Sequence, residues 1–231
     1  MAKFLIHACP ERLWYVNDFL IPELLDQGIK KSDIVTYCDK DGKGNLEACM
    51  ESFSDINKFF PKAKEDGIWH LQDDVYPSSS FYRTVRQYDV RGIVNGFGNS
   101  YFEGSRILDT GSVKAFYTWY SFQCIRIPND IARGCADWFY GIGSKYDKVR
   151  ECISTGKGDD AVWRIYIQNY YKDIRVTNLN PNIVEHVDEL MGGSVTSPER
   201  AVWRRSAFWE EPERIEELKE RIEAYGRSQK G

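Results

Sequence analysis

Short unbroken apolar runs alternate along this chain with stretches whose apolar residues recur at helical spacing. Lys3 to Cys9, KFLIHAC, reads as a buried strand, and Leu13 to Gln27 as a helix built on Trp14, Val16, Leu20, Leu24 and Leu25, interrupted near Pro22. SDIVTYCD, Ser32 to Asp39, is a second strand closed by the loop KDGKGN; NLEACMESF is a further helix and Gly67 to Gln72 a third strand. Strand and helix thus alternate through the first half of the chain. That is the pattern of a mainly parallel sheet with helices on both faces.

The second half is more mixed. Ser78 to Tyr88 reads as a helix that serines can cap, GIVNGF as a short strand and VKAFYTWYSFQCIRIP as a longer, aromatic-rich one. NDIARGCADWFYGIG and GDDAVWRIYIQNYY are helices, and DIRVTNLNPNIVEHV is extended and then interrupted. Glu210 to Gly226 carries charge on most faces and is expected to be a solvated terminal helix. There is no internal repeat and no evident linker.

Composition narrows the function classes. A length of 231 residues supports one large core, and the formal net charge of -4 disfavours generic nucleic-acid binding, leaving only a local basic segment around Arg200, Arg204 and Arg205. Six cysteines without a CxxC pair argue against a zinc site and fit free thiols in a reducing cytoplasm. The start reads as a strand rather than a signal peptide, and no stretch approaches the roughly 20 apolar residues of a membrane span. Aromatic residues make up 14%, enough to line a pocket as well as a core; Phe116 to Phe122 and Trp138 to Tyr140 fit either role.

Candidate chemistry sits where the strands end. In open parallel sheets ligands gather at the carboxyl ends of the strands. The first strand runs into Cys9-Pro10-Glu11-Arg12, the second into Asp39-Lys40-Asp41, and the third into Asp73-Asp74. Two adjacent carboxylates after an apolar strand need compensation, and hard oxygen ligands of this kind suit Mg²⁺ or Mn²⁺ shared with substrate phosphates. Gly158-Asp159-Asp160 opens a helix, where capping accounts for one acid and leaves the second available as a general base. His186 lies between extended chain and a Gly-Gly-Ser loop, as an imidazole at a strand end, whereas His7 and His70, inside apolar strands, read as structural. GKGN and GFGNSYFEGS match neither a dinucleotide fingerprint nor a P-loop.

In their order along the chain, LQDDV, GDDAVW and NPNIVEHV, following a strand with a nearby Arg and a strand ending in Asp39, resemble glycosyltransferases of the GT-A fold. The resemblance covers about Lys3 to Ser194. It implies a three-layer α/β/α sandwich with a mainly parallel, Rossmann-like central sheet. Residues 1–200 would form one catalytic domain, its donor-binding half about 1–110 and its acceptor half about 111–200, with a basic segment and charged helix over 201–231.

The resemblance further implies transfer of a sugar from a nucleotide-diphosphate sugar, a UDP-sugar foremost, to an acceptor hydroxyl, with Mn²⁺ or Mg²⁺ bound. Asp74 and His186 would hold the metal, while Asp39, Arg12, Gln72, Asp73 and Ala8 would contact the donor. Gln72 stands where the family has its first acid, so one carboxylate of the usual pair is replaced by a neutral hydrogen-bonding group. Asp160 would be the base of an inverting displacement and Asp159 would orient the acceptor: a saccharide, a protein or a modified nucleic-acid base. The competing expectations are a nucleotidyltransferase on a related core, disfavoured by the absence of glycine in HACPERLWY, and a non-catalytic binding module.

Overall fold

The computed structural model describes residues 2–61, 67–88, 92–98, 111–114, 122–155, 158–193, 195 and 209–229. The expected alternation is present: β1 (Lys3–Ala8), β2 (Ile34–Cys38), α3 (Asn45–Ser54) and β3 (Gly67–Gln72) follow one another, with a short α4 (Ile56–Phe59) before β3. Between β1 and β2 lies a helical segment made of a 3₁₀ turn (Pro10–Arg12), α1 (Leu13–Tyr15), a π turn (Val16–Leu20) and α2 (Ile21–Asp26). The π turn is where the expected interruption falls. Ile21 bonds back to the Val16 carbonyl, five residues earlier, just before Pro22, which has no N–H to give.

Beyond β3 come β4 (Val75–Pro77), α5 (Phe81–Gln87), β5 (Ile93–Asn95), β6 (Gly111–Lys114) and β7 (Cys124–Pro128). They are followed by α6 (Asn129–Gly141), α7 (Asp147–Thr155), α8 (Asp159–Tyr170), β8 (Arg175–Asn178), β9 (Val184–His186) and α9 (Pro212–Ser228). The aromatic-rich strand expected from Val113 to Pro128 is two strands at its ends, β6 and β7; its centre, residues 115–121, lies outside the described residues, as does the basic segment at Arg200, Arg204 and Arg205. The sequence reading has no counterpart for α7, whose apolar face is narrow: Val149 is its buried residue.

Among the described residues, seven strands form one sheet in the order β2-β1-β3-β7-β5-β8-β6, and β4 pairs with β9 in a separate small one. The pairings run β2, β1, β3, β5 and β8 in one direction, with β7 and β6 reversed. Because β7 from the second half inserts between β3 and β5, the two halves of the chain share one sheet.

Strand alternation sorts side chains to two faces. Phe4, Ile6, Trp69, Leu71 and Val94 join the first helical segment, α5 and α9 in one apolar cluster. Leu5, Ile68, Ile125, Ile127 and Val176 join α3, α6, α7 and α8 in the other. Helices therefore cover both faces, giving the three-layer α/β/α arrangement.

The terminal helix departs from expectation. Rather than being solvated all round, α9 buries Leu218 and packs Ile215, Ile222 and Tyr225 against the first helical segment, with Tyr225 stacked on Trp14 at 5.4 Å. These four residues are spaced three and four apart, a narrow apolar stripe that dense flanking charge obscures. Arg214 clamps its start, donating to Glu23 at 2.7 Å and to the Pro77 carbonyl at 3.1 Å.

Candidate functional site

Sheet register decides which loops meet. Ala8 pairs with Cys38 and His7 with Gln72, so the chain leaves β1, β2 and β3 at one edge of the sheet. A cleft of about 410 Å³ opens there, lined among others by Ala8, Arg12, Asp39, Gln72, Asp73 and Asp74. Every residue expected to contact the donor thus lines this cleft.

Asp39 caps its own loop. Its two carboxylate oxygens accept the backbone N–H of Lys43 at 3.0 Å and of Gly44 at 2.9 Å, which folds Asp39 to Gly44 into a tight rim. Gly42 and Gly44 take the left-handed φ values of 65° and 90° that this rim requires.

Asp73 and Asp74 are buried at the base of the cleft, and buried Arg12 bridges them. Its Nη1 lies 3.3 Å from Asp73 Oδ1 and 2.5 Å from Asp74 Oδ2, while Nη2 donates to the Gly193 carbonyl at 2.8 Å. Asp73 also accepts the Cys9 backbone N–H at 2.7 Å. Burial disfavours the charge on Arg12, but Asp74 and Asp73 outweigh it and raise its pKa further.

His186 reaches this pair through the small sheet. Val75 pairs with His186 in the β4–β9 register, and the Val187 N–H donates to the Asp74 carbonyl at 2.8 Å, so the imidazole stands beside the Asp74 carboxylate. Nε2 is 3.2 Å from Asp74 Oδ2 and Nδ1 is 3.0 Å from Asp188 Oδ1. Neither approach has hydrogen-bond alignment: His186 Nε2, Asp74 Oδ1 and both Asp188 oxygens are buried without a hydrogen-bond partner.

The charges are strongly coupled. Burial opposes ionisation of Asp74, yet His186 and Arg12 outweigh it and hold its pKa well below the usual carboxylate range. Asp73 is pushed up to about 6, first by burial and then by the charge on Asp74. Burial also opposes the imidazolium of His186, and Asp74 with Asp188 overcomes it, raising the group to about 9.

This donor set fits a divalent cation. Single ligand atoms of Asp74, His186 and Asp188 all lie within 4.8 Å of one another, and carboxylate with imidazole is chemistry that Mn²⁺ accepts. Buried polar atoms without partners cost free energy, which a shared cation would recover. Arg12 is the competing cation, already on Asp74.

Asp188 is the member that sequence reasoning missed. Its only local signal is an acid two residues after His186, in HVD.

The acidic pair at the start of α8 divides. Asp159 is buried, with Gln72 Nε2 3.5 Å from its Oδ2, so it faces the cleft residues. Asp160 is half-buried and accepts the Ala161 backbone N–H at 2.7 Å, as a helix-start carboxylate does. Of the aromatic candidates, Trp138 and Phe139 are core and Tyr140 is exposed.

Fold and site together define a class: an open, mostly parallel α/β sheet flanked by helices, with an acidic cleft at the carboxyl ends of its strands. Neither a protein-family model nor a curated protein matches the chain.

Proposed function

We propose that this protein is a nucleotide-sugar-dependent glycosyltransferase of the GT-A type, binding its donor with Mn²⁺ or Mg²⁺ in the cleft above β1, β2 and β3. The single observation that carries the reading is the convergence of Asp74 and His186, from distant parts of the chain, on one buried point at the base of a cleft whose rim is Asp39. A nucleoside diphosphate fits such a cleft with its base and ribose toward the Asp39 rim and its phosphates toward Arg12.

A bound divalent ion would be held by Asp74 and His186 and would offset charge growing on the departing diphosphate. Arg12 serves the same end from the protein itself, as a guanidinium whose positive charge is fixed beside the pair. Gln72 offers an amide to a sugar or ribose hydroxyl. The acceptor's proton would go to one carboxylate of the pair that opens α8, Asp160 or Asp159, and the contact of Asp159 with Gln72 supports Asp159 beside Asp160 for that role. The attacking oxygen then displaces the diphosphate with inversion. UDP is the favoured nucleotide.

The position of Arg12 favours one second reading. A guanidinium already on both carboxylates could make donor binding independent of metal.

Thermal shift against UDP, GDP, CDP, ADP and dTDP, each with Mn²⁺ or with EDTA, tests both readings. One diphosphate at about 100 times its Kd should raise Tm by roughly 5–10 °C with Mn²⁺, and Asp74→Asn should abolish the shift. An equal shift in EDTA supports the Arg12 reading. No shift with any diphosphate overturns the transferase.

A further inference from the structure

On the opposite face of β1 and β3 from Phe4 and Trp69, a second group of ligating side chains lies together, outside the Asp74 centre. His7 on β1, His70 on β3 and Cys49 on α3 each offer one ligand atom, all within 4.8 Å of one another, and all three are buried. His70 is poised as a ligand would be: Nδ1 lies 3.1 Å from the Phe122 carbonyl, while Nε2 is buried with no hydrogen-bond partner. Donating Nδ1–H to a backbone carbonyl fixes the tautomer whose Nε2 carries a free lone pair. This is the arrangement that orients metal-bound histidines.

We infer that His7, His70 and Cys49 form a Zn²⁺-class site, with two imidazoles, one thiolate and a fourth position toward the cleft. Mixed nitrogen and sulfur donors select a borderline-soft ion over the hard ions suited to Asp74. Both imidazoles are neutral and available: burial lowers His7 to about 4, against a smaller opposing effect of Asp39, and lowers His70 to about 3. Binding converts the Cys49 thiol to thiolate and releases its proton to solvent. Asp159, near enough to push the free thiol up after burial has done so, supplies negative charge beside the ion. Tetrahedral zinc ligands stand roughly 3.4 Å apart, so small rotations of His7 and Cys49 close the site. His7 also lines the cleft, which places the fourth position within reach of a bound molecule.

The site stands independently of the transferase reading. Co²⁺ alone, added to the chelator-treated full chain, reports it through thiolate-to-cobalt charge transfer in the near ultraviolet. The expected result is a band that saturates at one equivalent, is displaced by Zn²⁺, persists in Asp74→Asn and in Cys9→Ser, and disappears in Cys49→Ser and in His70→Gln. A wild-type protein with no saturable band overturns the inference whether or not the variants fold. So does a band that survives in Cys49→Ser or vanishes in Cys9→Ser.

Discussion

Asp188 shows what a single side chain contributes without touching a substrate. Its carboxylate lies 3.0 Å from His186 Nδ1 without hydrogen-bond alignment, and a small rotation that aligns the two would hold the ring with its other nitrogen toward Asp74. Partners of this kind fix a ligating imidazole's orientation, and their loss typically weakens metal affinity about 10–100-fold. Asp188→Asn should therefore bind Mn²⁺ that much more weakly by titration calorimetry, while Asp188→Glu recovers part of the affinity. An unchanged affinity in Asp188→Asn would remove Asp188 from the site. The roles of Asp73 and Asp74 also separate only at this scale: adjacent in sequence and both buried, one is anchored by the Cys9 amide and the other faces His186.

Among the elements, α9 carries the clearest stability prediction. Leu218 is buried in the cluster that also holds Phe19, Tyr76 and Val85, so the helix seals one face of the sheet. Leu218→Ala removes a core side chain and should cost about 2–4 kcal/mol, seen as a Tm lower by roughly 5–15 °C. A change under about 2 °C would mean that α9 is solvated, as its charge pattern first suggests. The small β4–β9 sheet matters in a different way. Its register places His186 opposite Val75, so a short pairing with little core of its own positions one half of the acidic centre. Three-residue strands such as β4 leave almost no periodic signal, and for that reason β4 was not legible in VYP.

For the molecule as a whole, the buried charges set how stability depends on pH. His186 is raised from 6.5 to about 9 on folding, so its stabilising contribution is full below pH 6.5 and is lost as pH rises through about 9. Asp74, held low, contributes above the ordinary carboxylate range and loses that contribution as pH falls. Chelator-treated protein should therefore lose Tm between pH 6.5 and 9, and His186→Gln should flatten that limb. Mn²⁺ should reverse the loss, since a metal binds the deprotonated ring. A limb of equal slope in wild type and His186→Gln would show that His186 does not carry it. At this scale, too, no helix among the described residues is long and apolar enough to cross a membrane. What the sequence alone determined was the α/β class, the strands β1, β2 and β3, and the acids at their ends, because alternation, turn residues and caps act over a few neighbours. Only the tertiary structure decided that β7 enters reversed between β3 and β5, that Arg12 bridges Asp73 and Asp74, that Asp188 joins His186, and that His7, His70 and Cys49 face one another. Each of these depends on strand register and layer packing between distant segments, and no local pattern encodes such pairings.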